Sequence, residues 1–154
     1  MIHRSTRPIR IVLDTNVLIS YLRSTSPEDS AAGAILRAAF AGTFRLLFVE
    51  GVAEELDRKL NQRPDLAARI TQTNVVALVD ELRSVGESVE RLVEPYQSIG
   101  RDRDDYFLIA HAVFAEADWL VSWDKDLLDL RQIDGLTIAD PPRFLAALRH
   151  AGLL

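Results

Sequence analysis

A short apolar run rich in β-branched residues, IRIVL at residues 9–13, ends abruptly on Asp14 and passes at once into a helical pattern over Thr15 to Arg23. A short β-branched run of this kind reads as a strand, so the stretch is a strand-to-helix unit. The same alternation continues along the chain. Ser30 is placed to cap an Ala-rich helix that runs to about Ala41 and stops at Gly42, and Phe44 to Val49 reads as a second strand. A helix then starts near Gly51, carries Val52, Leu56 and Leu60 on one stripe and Glu55 on the neighbouring face, and stops before Pro64.

Residues 65–84 read as helical with a break near Thr71 to Asn74, and Leu66, Ile70, Val75, Leu78, Val79 and Leu82 are its candidate buried positions. Ser88 to Glu94 reads as a short strand, Arg103 to Glu116 as a long helix, WLVS as a strand ending before Asp124, and Lys125 to Leu130 as a short helix. LTIAD and PPRFLAALRH close the pattern as a strand and a helix, with Asp140 as cap and Pro141 in the first turn. Strands alternating with helices throughout indicate an α/β fold, with a parallel sheet covered by helices on both faces.

The chain has 154 residues, 48% hydrophobic and 27% charged, which suits one domain with its own core. Residues 9–154 are expected to form it, with residues 1–8 a flexible tail. No apolar run approaches the roughly 20 residues that span a bilayer, and the first residues lack a secretory apolar stretch, so a cytoplasmic protein without membrane contact is expected. The absence of cysteine removes thiolate metal sites and cysteine nucleophiles, leaving oxygen and imidazole as metal donors. A net charge of -5 argues against blanket attraction to nucleic acid, although bound cations on clustered acids can still present positive charge to a phosphodiester.

In open α/β sheets the working site lies beyond the carboxyl ends of the strands. Asp14 follows the first strand, Asp124 lies two residues after WLVS, Glu55 sits early in the helix after the second strand, and Asp105 opens the long helix. Like charges brought together repel unless a cation joins them, and two-metal phosphodiester hydrolysis is the chemistry that suits such a cluster. Asp126 and Asp129 read as surface acids, with Asp126 within reach of the same crevice. Asp102 and Asp104 read as loop residues or caps, and His111, among alanines in mid-helix, as a packing residue rather than a ligand.

At these residues the chain resembles the PIN-domain family, in particular the VapC-like toxin ribonucleases of bacterial toxin–antitoxin pairs. IVLDTNVLIS is similar to the opening motif, with Asp14 as its first metal-binding acid and Asn16 as the adjacent polar residue. VEGVAEELDRKL resembles the second motif and places Glu55, with Glu54 in reserve. DRDDYFLIAHA resembles the third and places Asp105, while WLVSWDKDLL resembles the fourth and places Asp124. Ser122 stands where the family usually has Thr and keeps the hydroxyl; Trp123 stands where a small or polar residue is usual, free either to stack on a base or to pack against a neighbour.

The resemblance implies a three-layer α/β/α sandwich and Mg2+ or Mn2+ held by Asp14, Glu55, Asp105 and Asp124, with Asn16, Ser122 and Asp126 in support. It implies cleavage of RNA, single-stranded or structured, and a homodimer with a cognate antitoxin seated on the helices of the Leu66 to Leu82 stripe and the early Ala-rich helix. Rival readings are a PIN-like binding module without catalysis, an aspartyl phosphatase and a receiver domain. The phosphatase needs a second acid where Asn16 stands, and the receiver needs an early acidic pair and a late strand-end Lys.

Overall fold

The computed structural model describes residues 7–68, 70–93 and 103–154, apart from the side chains of 103–105. The expected tail therefore falls mostly outside the described residues, as do Asp102 and the side chains of Asp104 and Asp105.

The strands are β1 (Arg10–Leu13), β2 (Arg45–Phe48), β3 (Glu87–Ser88), β4 (Trp119–Val121), β5 (Gln132–Ile133) and β6 (Leu136–Ala139), arranged in one sheet in the order β3-β2-β1-β4-β6-β5. All pairings are parallel except that of β5 with β6. The helices are α1 (Thr15–Arg23), α2 (Ala31–Phe40), α3 (Glu50–Gln62), α4 (Pro64–Ala67), α5 (Gln72–Val85), α6 (Arg103–Phe114), α7 (Lys125–Leu130) and α8 (Pro141–His150). Successive strand residues point to opposite faces, and Ile11 and Val12 in β1, like Leu120 and Val121 in β4, are all fully buried. Both faces of the sheet are therefore covered, which makes the expected three-layer α/β/α arrangement.

Local chemistry sets the helix ends. The Ser30 hydroxyl accepts from Gly33 N, and Gly42 takes the left-handed conformation (φ 76°) that stops α2. The break at Thr71 is an N-cap, its hydroxyl accepting from Asn74 N and separating α4 from α5. Asp140 caps α8 by accepting from Arg143 N, with Pro141 in the first turn. The stripe Leu66, Ile70, Val75, Leu78, Val79 and Leu82 is buried within the chain's own core.

Two elements differ from the linear reading. The strand expected over Ser88 to Glu94 pairs only at Glu87 and Ser88, and Val89 N makes the last bond to Phe48 O (2.9 Å). Beyond that point the backbone turns to α6, where Leu92 N donates to His111 Nε2 (3.1 Å). Glu94 lies outside the described residues. The second difference is β5, an antiparallel edge strand joined to β6 through Asp134 (φ 47°) and Gly135 (φ 83°). The Asp-Gly pair is the sequence signal for a hairpin of this kind, since both central residues need positive φ.

Among the described residues, no helix is long and apolar enough to cross a membrane.

Candidate active site

The chain runs from β1 outward to β2 and β3, then returns to add β4 on the other side of β1. The order reverses between β1 and β4, and in sheets of this kind ligands bind beyond the carboxyl ends at such a reversal. Asp14 stands at that reversal. Its backbone N donates to Val121 O at the end of β4 (2.9 Å), which ties the two strand ends together.

The Asp14 side chain is buried, with 7% of its surface exposed, and all of its described partners are donors. Thr15 N donates to Oδ1 (2.7 Å); the Ser122 hydroxyl (2.7 Å) and Asn16 Nδ2 (3.2 Å) donate to Oδ2. Asp14 thus also caps α1. An acid at the end of a buried strand has, from its position alone, few structural uses; here it has one, and the cap does not exclude a ligand role. Burial pushes the Asp14 carboxyl up to about 6 despite the Ser122 hydrogen bond, which lowers it, and the negative charge of Glu55 adds to the rise. The Thr15 amide and the Lys59 ammonium pull the other way.

Ser122 is fully buried and links Asp14 to the β4–α7 loop. Its hydroxyl donates to Asp14 while accepting from Asp124 N (2.9 Å) and Asn16 Nδ2 (3.2 Å), which uses its one donor and both lone pairs. Asn16 completes the clip, with Oδ1 accepting from Trp123 N (3.1 Å). Asp124 caps α7 by accepting from Asp126 N (2.9 Å). Asp126 and Trp123 are exposed.

Glu55 reaches the site from α3. Thr15 Oγ1 donates to Glu55 Oε2 (2.9 Å), and Lys59, one turn on, pairs with Glu55 Oε1 (3.1 Å). Glu54 faces outward and pairs with Arg91. Asp105 lies in the first turns of α6, its side chain outside the described set. The helix itself is held against α3, because a Cβ on Gly51 would lie 2.1 Å from the Phe107 ring. Only glycine allows that approach.

The described acids are therefore joined through intermediaries: Asp14 to Glu55 by Thr15, and Asp14 to Asp124 by Ser122. Among the described residues, no group of three or more acids or histidines is close enough to hold an ion by itself. Thr15 and Lys59 have no part in the linear reading of the site. Thr15 carries a weak signal as a polar residue directly after a strand-end acid, and Lys59 only its i+4 spacing from Glu55. His111 is buried, with Nδ1 bonded to Phe107 O (2.8 Å) and Nε2 to the Leu92 amide, which makes it a packing group.

A search of curated proteins returns no match. Among solved structures, the chain is similar to the PIN domain of T. brucei RRP44 at 17% identity, with 96% of this chain and 82% of that one covered and a TM-score of 0.50, a likeness of fold. The family model described as PIN domain matches residues 10–126, from the first residue of β1 into α7. That stretch includes both strand ends that meet at Asp14 and Ser122, and this chain belongs to the PIN domain family.

Proposed function

We propose that this protein is a divalent-cation-dependent endoribonuclease that cuts single-stranded RNA with Asp14, Glu55, Asp105 and Asp124 at its centre. The PIN domain is generally a nuclease fold. The observation that carries the reading is Asp14, a carboxylate buried at the strand-order reversal and surrounded by donors, whose burial raises its affinity for a proton. A charge in that position is relieved by a cation.

The donors fit a hard ion such as Mg2+ or Mn2+, because every candidate is a carboxylate, amide or hydroxyl oxygen and the chain has no cysteine. Asp14 and Asp124 would hold it, with Glu55 and Asp105 brought in by α3 and α6. When bound, such an ion supplies Lewis acidity at a phosphodiester and the activation of water. Ser122 and Asn16 orient Asp14 Oδ2, Thr15 orients Glu55, and Lys59 offsets part of the local negative charge.

We assign it further as the cytoplasmic toxin of a toxin–antitoxin pair, acting as a homodimer. The likeness of IVLDTNVLIS to such toxins supports this, as does a cavity of about 280 Å³ between α1 and α5, lined by Tyr21, Leu22, Ala77 and Leu78, where an antitoxin segment can seat.

The deciding experiment combines manganese titration by calorimetry with cleavage of single-stranded RNA. The wild type is expected to bind manganese and cut; Asp14→Asn is expected to lose cutting while keeping its circular dichroism spectrum. Cutting that survives Asp14→Asn overturns the assignment, as does a wild type that neither binds manganese nor cuts. Induction in a bacterial host is expected to arrest growth with the wild type and not with Asp14→Asn.

A further inference from the structure

A cavity of about 880 Å³ runs beside β5 and β6 and under α7 and α8. Its lining includes the apolar side chains of Trp119, Leu130 and Ile138, and the cations Lys125, Arg131 and Arg143. One end lies at the active-site edge of the sheet. Lys125 directly follows Asp124, and Ala139, which lines the cavity, accepts from Ser122 N (3.0 Å).

The three cations have no ion-pair partner among the described residues; neither do Arg23, Arg37, Arg45, Arg58 and Arg149, but Lys125, Arg131 and Arg143 are the ones gathered around one concavity. Two acids, Asp129 and Asp140, also line the cavity, so three cations face two carboxylates there; Asp140 in addition caps α8, its Oδ1 accepting from Arg143 N. Arg131 has φ 60° and ψ -57°, a region an L-residue seldom occupies, and its carbonyl is held there by Ile138 N (2.8 Å). A concavity with one positive charge in excess, in a chain of net charge -5, is a locally favourable place for a polyanion. Apolar and aromatic surface beside them suits a base, and the combination is the one that binds single strands without regard to sequence.

We propose that this groove carries the substrate strand away from the cut, with backbone phosphates on Lys125, Arg131 and Arg143 and a base against the apolar surface that includes Trp119. The inference rests on the nuclease reading and names the path of its substrate.

The test uses full-length protein carrying Asp14→Asn, a fluorescein-labelled single-stranded RNA, magnesium, and anisotropy titrations between about 50 and 200 mM salt. Adding Arg131→Ala and Arg143→Ala is expected to weaken binding roughly tenfold and to flatten the salt slope by about 1.4, at about 0.7 for each phosphate of a single strand that is no longer neutralised. Adding Arg45→Ala and Arg149→Ala, which removes the same charge outside the groove, is expected to change neither. Equal weakening by both pairs means a diffuse field and overturns the proposal, as does no weakening by the groove pair. Displacement of the strand by poly-glutamate at equal charge concentration assigns the groove to an acidic polypeptide and also overturns it. Cleavage by the protein with Asp14 intact separates the two failures: an active enzyme whose groove pair binds normally loses only the groove, while an inactive one loses the nuclease reading as well.

Discussion

Asp14 is held by three donors and is still protonated at a higher pH than an ordinary carboxyl, because removal from water outweighs the hydrogen bonds. Its folded value of about 6 lies above the ordinary 3.8, so between those values the native state holds a proton that the unfolded chain has released. Stability contributed by this group is therefore present at low pH, falls as pH rises from 3.8 to about 6, and stays low above that, by an amount of about 3 kcal/mol. Without added metal, Asp14→Asn is expected to melt above the wild type at pH 8, with the gap closing as pH falls from about 6 to 3.8 in calorimetric scans. Manganese is expected to raise the melting temperature of the wild type at pH 8 and to leave Asp14→Asn unmoved. Thr15→Val keeps the shape and removes the hydroxyl that turns Glu55 inward, so weaker manganese binding is expected with a stability loss of about 1 kcal/mol. Asp14 was legible as a site candidate because it ends a strand. Thr15 and Lys59 were not, because their roles depend on a helix that arrives later in the chain.

The elements place the acids by close approach. In α3, Gly51 admits the ring of Phe107, and any side chain there must displace that ring from the contact between α3 and α6. Gly51→Ala is expected to cost about 1–3 kcal/mol in urea unfolding, the range for overpacking a tight contact. Leu92 and His111 join the segment after β3 to α6, and His111→Leu removes the acceptor of the Leu92 amide. A loss of about 1–3 kcal/mol is expected, measured the same way. Helix caps were readable because capping is local: Ser30 and Asp140 act where their positions indicate, and Thr71 caps at the expected break. The short β3 was not readable, because where pairing ends depends on the competing pull of His111. The β5 hairpin had a usable signal in Asp134 and Gly135, outweighed by the apolar run that follows.

At the scale of the whole molecule, the buried residues of every layer belong to one contiguous core, from Ile11 and Leu120 in the sheet to Leu56, Leu82 and Phe144 in the helices. One cooperative unfolding transition is expected, coincident by far-ultraviolet dichroism and by the fluorescence of a Trp123→Phe variant, which reports Trp119 packed on Phe144 (centroids 5.6 Å apart). Two separated transitions would mean independently folding parts. By itself the sequence determined the alternation of strands and helices, the caps at Ser30 and Asp140 and the strand-end position of Asp14, since periodicity and capping act over a few neighbouring residues. Only the tertiary structure decided which groups meet. Ser122 and Asp14 are 108 positions apart and share a 2.7 Å hydrogen bond because β4 is laid beside β1, a pairing chosen by burial of both sheet faces.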